Sequence, residues 1–322
     1  MHTLLDPAIL FFVFGVLAGM LRSNLQIPAP ISRFLSLYLL MALGLKGGFA
    51  LAQSGLTLEV AGTLGIAVLL AMVVPLLGYP LLRRLLNGYD ATALAATYGS
   101  VSAVTFITTI QFLENQQIAY GGHMAAAMAL MESPAIIMAV LMANRLRQQA
   151  GQTEGGHTPT PLGKILHESF TDGAQLLLLG AMLIGLLTGE AGKAAMAPFS
   201  VDLFKGMLAF FLLDMGLMTA RNLGGLKGKS PWLLAYAILA PLAHAALALG
   251  LASLAGASAG NAALLMALAA SASYIAVPAV LREAIPEANP SLYFGMSLGL
   301  TFPFNILLGI PLYVGVAQAV LG

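Results

Sequence analysis

Apolar stretches of about 18 residues or more, long enough to cross a hydrocarbon core of ~30 Å, recur from Pro7 to the C-terminus with only brief polar interruptions. A chain patterned in this way puts nearly every segment against lipid. Composition agrees, with 59% of residues hydrophobic and 8% charged, against roughly 25% charged in an ordinary soluble domain. The net charge of +1 gives no basic field for nucleic acid, and without Cys there is no disulfide, thiolate nucleophile or soft metal site. The first apolar segment, Pro7 to Leu21, lacks a basic n-region and a small-residue cleavage pattern and reads as a retained span.

Apolar windows and their breakers predict ten spans, near 7–21, 34–53, 60–82, 91–113, 122–144, 173–190, 203–220, 231–255, 261–281 and 292–320. Loops assigned alternately to two sides divide the basic residues unevenly. One side collects Arg22, Arg33, Arg83, Arg84, Arg145, Arg147, Lys164, Arg221, Lys227, Lys229 and Arg282; the other collects Lys193 and Lys205. The positive-inside rule puts the rich side in the cytoplasm and both termini outside, as in a multi-pass protein of the bacterial inner membrane. Residues 148–163, reading QQAGQTEGGHTPTPLG, form a polar cytoplasmic linker. It separates residues 1–147, holding five spans, from residues 164–322, holding the other five.

The halves resemble each other at positions roughly 170 apart. Gly44 and Lys46 in span two correspond to Gly216 and Met218 in span seven, Ser100 and Ser102 in span four to Ser271 and Ser273 in span nine, and Pro134 to Pro303. Five is odd, so the second copy enters the membrane upside down and the repeats are inverted. Spans four and nine concentrate Gly, Ser and Pro mid-segment: Tyr98-Gly99-Ser100-Val101-Ser102 in one, Ser271-Ala272-Ser273 followed by Pro278 in the other. Helical rise sets Ser100 roughly 14 Å and Ser271 roughly 15 Å from their span ends, near the midplane. Two broken helices there would aim half-helix N-termini, each equivalent to about +0.5 charge, at a small anion. The alternative is that small residues let the helices pack closely, with hydroxyls back-bonded to their own carbonyls.

Lys46, Glu132, Asp214 and His244 are expensive in lipid, and such residues pair or mark a pathway. The first three fall within about 5 Å of the midplane by helical rise and are expected to form one cluster. Asn305 joins them as a candidate ion-coupling residue, while His244, after Pro241, reads as a hydrogen-bonded packing residue. No HExxH, GxSxG, phosphate loop or Cys/His metal spacing is present, so the chain reads as no enzyme and needs no cofactor. A channel would require a continuous polar stripe along one helix, and the sequence reads as having none.

These residues resemble the sodium-dependent bicarbonate transporters of the SbtA type. The resemblance spans the chain and is most specific at Leu281-Arg282, Ile285-Pro286, Ala288-Asn289-Pro290-Ser291 and Tyr293, at Gly309-Ile310-Pro311-Leu312 with Gly315 and Ala317-Gln318, and at Tyr98-Gly99 with Ser102 and Thr105. It implies bicarbonate held between the two broken helices with sodium beside it, and assembly as a homotrimer. On it, Ser102 and Thr105 match the first motif, Ser271 and Ser273 the second, and Glu132 an acidic position beside Pro134. Tyr274 stands where the best-known pattern has Asp, and Ala276 and Val104 stand where it has Ser. The long cytoplasmic insertion of the best-known members is cut to the short linker, which removes the ground for expecting their signalling-protein partner.

The expectation is a secondary transporter of a small anion, bicarbonate first. Gly99, Ser100, Ser102, Thr105, Ser271, Ser273 and Tyr274 would bind the substrate, and Lys46, Glu132, Asp214 and Asn305 would couple it to sodium or protons. A tethered Lys46 ammonium could stand in for the sodium ion. The rival readings are a sodium/proton antiporter using Glu132 and Asp214, and a ligand-sensing membrane receptor.

Overall fold

A computed structural model of the chain describes residues 6–55, 57–149, 163 and 171–322. The regular secondary structure among the described residues is all helical, with no strand among them. Twelve helices carry the argument: α1 Pro7–Met20, α2 Ala29–Ser54, α3 Leu58–Leu82, α4 Gly88–Gly99, α5 Ala103–Asn115, α6 Met124–Gln149, α7 Gly173–Ala197, α8 Phe204–Asn222, α9 Pro231–Leu254, α10 Ala259–Ala269, α11 Ala276–Ala284 and α12 Pro290–Leu321. Caps start several of them. The Asp6 carboxylate accepts from the Ala8 N–H ahead of α1, Asn87 caps α4 at the Asp90 N–H, and Asp172 caps α7 by accepting from Ala174 and Gln175.

Seven helical runs among the described residues are long and apolar enough to cross a membrane. The chain is a multi-pass membrane protein. The regions expected as spans 173–190 and 203–220 belong to one run, Gly173–Leu226, of 54 residues. A straight helix of that length would measure about 80 Å, and this one is broken by Gly189 at φ 53° and by a π-helical turn at Pro198–Asp202. The regions expected as 7–21 and 261–281 contain shorter apolar helices, Pro7–Met20 and Ala259–Ala269. Apart from its ends, the linker expected at 148–163 lies outside the described residues.

Exposed apolar side chains, among them Leu10, Phe14 and Leu17 on α1 and Leu183, Ile184 and Leu187 on α7, are those of a lipid-facing surface. Inside, α1 lies along α8 and α2 along α7, both at backbone contact. A Cβ on Gly15 would fall 2.3 Å from the Leu213 carbonyl oxygen, and one on Gly48 would fall 2.1 Å from that of Met182. Small residues supply this close approach, which in lipid replaces the hydrophobic drive that water gives a soluble core. The other helices pack around α4–α5 and α10–α11, the two interrupted segments.

Candidate functional site

The interruptions sit where the Gly, Ser and Pro runs predict them. Helix α4 ends at Gly99, where a Cβ would lie 2.6 Å from the Pro75 ring of α3, and Ser100 continues in extended backbone at φ −97°, ψ −173°. Ser102 then caps α5, its Oγ accepting from the Thr105 N–H at 3.2 Å. The second segment mirrors this: α10 ends at Ala269, and Ser273 Oγ accepts from the Val277 N–H at the start of α11, also at 3.2 Å.

The two gaps cross and bond to each other. The Ser273 N–H donates to the Thr97 carbonyl at 2.8 Å, and the Ser102 N–H donates to Ser271 Oγ at 2.9 Å. Asn305 of α12 donates to the freed Ala270 carbonyl at 2.8 Å and is itself held by Tyr313 Oη at 2.8 Å. His244 turns to the backbone of Ala269. Asn305 therefore satisfies a polar group released by the break.

A cavity of about 200 Å³ opens beside the crossing, between the α2/α7 pair and the interrupted helices. Ser102, Ala103, Ser273 and Tyr274 line it together with Glu132 of α6 and Gln175 of α7. Both half-helix N-termini reach it, so free N–H groups and positive helix ends border one face. On the opposite face Gln175 Nε2 donates to Glu132 Oε2 at 2.7 Å, joining α7 to α6 across the cavity, with the Asp172 carboxylate also in the lining. Such an arrangement offers donors to an anion and a carboxylate to a cation within one cavity.

Of the candidate substrate residues, Ser102, Ser273 and Tyr274 line the cavity. The Tyr274 hydroxyl accepts from Ser102 Oγ at a long 3.4 Å. Thr105 and Ser271 stand behind them: Thr105 Oγ1 donates to Ser102 Oγ at 3.1 Å, and Ser271 Oγ donates to the Leu268 carbonyl at 2.8 Å. Gly99 serves the contact with Pro75. Ser100 Oγ is buried without a partner among the described residues and does not line the cavity.

The expected Lys46, Glu132 and Asp214 cluster does not form. Lys46 Nζ pairs with Glu114 Oε1 at 3.0 Å and lies over the Phe204 ring, while Tyr120 Oη also donates to Glu114 at 3.0 Å. Asp214, buried on α8, faces Ser32 and leaves its Oδ2 unpartnered among the described residues. Helical rise fixes depth and leaves direction around the helix free, so residues at one level were wrongly joined. The expectation that no helix carries a polar stripe also fails: Thr105, Thr108, Gln111 and Asn115, three or four apart, share one face of α5. Gln175 carries no charge and Asp172 stands one residue ahead of its span, so neither registers in the sequence as a costly intramembrane charge. A lone Gln in the apolar run after Gly173 was the available signal.

A family model described as the Na+-dependent bicarbonate transporter superfamily matches residues 7–318. The chain belongs to that superfamily. The match takes in α1 to α12 nearly end to end, including both interruptions and the cavity between them. No curated protein matches the chain. Superfamily membership accords with a polytopic membrane transporter.

Proposed function

We propose that the chain is a sodium-coupled secondary transporter that takes up a small anion, bicarbonate first, by alternating access. The observation that carries this reading is the convergence of two half-helix N-termini, at Ser102 and Ser273, on one cavity that also holds Glu132. An anion would sit on the N–H groups and hydroxyls of the crossing, and sodium beside it would take the carboxylate oxygen. Each ion offsets the other's charge, which lowers the cost of holding either away from water.

Ten spans in two inverted five-helix repeats fit the contacts. Gly15 of α1 meets Gly216 of α8, and Gly48 of α2 meets Gly185 of α7. These two meetings exchange under a shift of roughly 170 that matches Gly15 with Gly185 and Gly48, in place of the Gly44 read from the sequence, with Gly216, as an inverted repeat requires. A second cavity, of about 180 Å³, lies between the α1/α8 pair and α5 and α12. It has Asp6, Ala8 and Leu208 where the first has Asp172, Ala174 and Leu40. One cavity opens at the linker end and its counterpart at the other, which supports movement of the α1, α2, α7 and α8 unit past the crossing.

Purified protein in liposomes tests the proposal. Labelled bicarbonate is expected to accumulate under an inward sodium gradient and not when choline replaces sodium, and Ser102→Leu or Ser273→Leu is expected to abolish accumulation. Sodium-driven proton flux without anion movement would instead make the chain an antiporter.

A further inference from the structure

The cavity at the end away from the linker has its own polar chemistry. Thr108, Gln111 and Asn115 of α5 enter it from one side and Asp6 from the other. Gln111 is 4% exposed, yet its Oε1 has no partner among the described residues. A buried acceptor left open costs free energy unless something occupies it.

The orientation of that amide is fixed by charged neighbours. Asn115 Nδ2 donates to Asp6 Oδ2 at 2.9 Å, and Asn115 Oδ1 accepts from Lys205 Nζ at 3.1 Å. A carboxylate only accepts and an ammonium only donates, so Asn115 cannot be turned over. Gln111 Nε2 donates to that same Asn115 Oδ1 at 2.9 Å, which leaves Oε1 as the unpartnered atom of a residue that lines the cavity. The Thr108 hydroxyl proton is given to the Val104 carbonyl at 2.8 Å, so its oxygen is left with lone pairs only. Each of these groups has turned a donor to a protein acceptor, and Gln111 Oε1 and Thr108 Oγ1 keep lone pairs open. Asp6 uses one oxygen for the Ala8 N–H and the other for Asn115, and each retains a further lone pair.

We infer that this cavity is a capture site for one sodium ion, coordinated by Gln111 Oε1 with Thr108 Oγ1 and the Asp6 carboxylate, roughly 14 Å along α5 from Ser102. The inference rests on the reading of the chain as a sodium-coupled transporter and adds a station for the cation ahead of the crossing. A set of hard oxygens with one carboxylate suits a monovalent ion; a divalent ion would draw more carboxylates and water. Lys205 at the rim opposes the cation and keeps occupancy weak enough for release.

Equilibrium binding of ²²Na⁺ to the full chain in detergent reads this site without transport. Wild type is expected to bind saturably. Gln111→Leu should weaken binding about tenfold, since a buried contact to a charged group is lost. Lys205→Met, at an exposed position, should tighten it, and this variant carries the test if Gln111→Leu fails to fold. Failure of wild type to bind sodium, or binding that neither substitution alters, overturns the site. Displacement by calcium at equal concentration also overturns it, because the cavity then selects a divalent ion. Sodium-dependent bicarbonate uptake unaffected by Gln111→Leu would sink the site and leave the transport function standing. Sodium binding that depends on Gln111 with sodium-independent uptake would do the reverse.

Discussion

The Ser273 N–H donates to the Thr97 carbonyl at 2.8 Å, tying the gap of one interrupted helix to the end of the other. The corresponding link from the first gap is indirect: the Ser102 N–H donates to Ser271 Oγ, which passes its own proton to the Leu268 carbonyl. Broken helices leave orphan N–H and C=O groups, and in a low-dielectric interior those must find partners. The crossing solves this by making each break the cap of the other.

Removing the relay should therefore cost stability. Ser271→Ala leaves the buried Ser102 N–H without its partner, while the Leu268 carbonyl keeps the backbone N–H of residue 271, a loss of about 1–3 kcal/mol. Ser100→Ala is the control, because the Ser100 hydroxyl has no partner to lose among the described residues. Thermal unfolding in detergent should show a lower midpoint for Ser271→Ala and little change for Ser100→Ala. Equal midpoints would mean the relay is not structural.

The glycine meetings give a second expectation. A Cβ on Gly216 would fall 2.2 Å from the Phe12 carbonyl oxygen, and one on Gly185 would fall 2.6 Å from that of Leu45. Backbone atoms cannot swing aside, so Gly216→Ala or Gly185→Ala forces the paired helices apart, at about 1–3 kcal/mol each. Gly180→Ala meets nothing within 4 Å and should be neutral or stabilising, since Ala favours helix by about 1 kcal/mol. Unfolding midpoints of the three variants decide the matter.

Much of this was legible in the sequence because its cause is local. A run of apolar residues reports a lipid environment, and Gly, Ser and Pro in mid-run report broken helices, so the gaps at Ser100–Ser102 and Ser271–Ser273 could be located before any contact was known. Contacts between distant helices could not be. Lys46 pairs with Glu114, a residue that the sequence places at the edge of a span, where a charge carries no sign of being buried. The stripe Thr105, Thr108, Gln111, Asn115 is hidden by apolar neighbours at the intervening positions, which face elsewhere on the helix. Gln175 acquires meaning only when α7 is laid beside α6 and its amide meets Glu132.

Acid should weaken the fold at His123, just before α6. Its Nε2 lies 2.8 Å from Thr63 Oγ1, whose proton goes to the Glu59 carbonyl, so the imidazole donates from Nε2. Burial holds the His123 pKa below its ordinary 6.5, with the Glu59 carboxylate opposing that shift. A folded pKa below the unfolded one means that the unfolded chain binds the extra proton as pH drops. The contribution of His123 is thus complete above about pH 6.5 and is lost progressively below it. Between about pH 7.5 and about pH 5.5 the unfolding midpoint of wild type should fall more steeply than that of His123→Gln. Parallel slopes would refute the assignment.

The last expectation concerns Lys46 and the driving ion. An ammonium placed against Glu132 would compete with sodium in the anion cavity, but Lys46 is committed to Glu114 at 3.0 Å and does not line that cavity. Its side chain is 17% exposed and that of Glu114 31%, so solvent screens the pair and its contribution is modest, about 1 kcal/mol. Lys46→Met strands Glu114 with Tyr120 as its hydrogen-bond donor and should lower the unfolding midpoint, while Lys46→Met combined with Glu114→Gln should recover part of the loss. Uptake of bicarbonate should need sodium to the same degree in all three proteins, because none of these changes reaches the crossing. A shift in the sodium requirement of Lys46→Met that the double variant reverses would put the pair in the coupling path and return Lys46 to the role of a tethered cation.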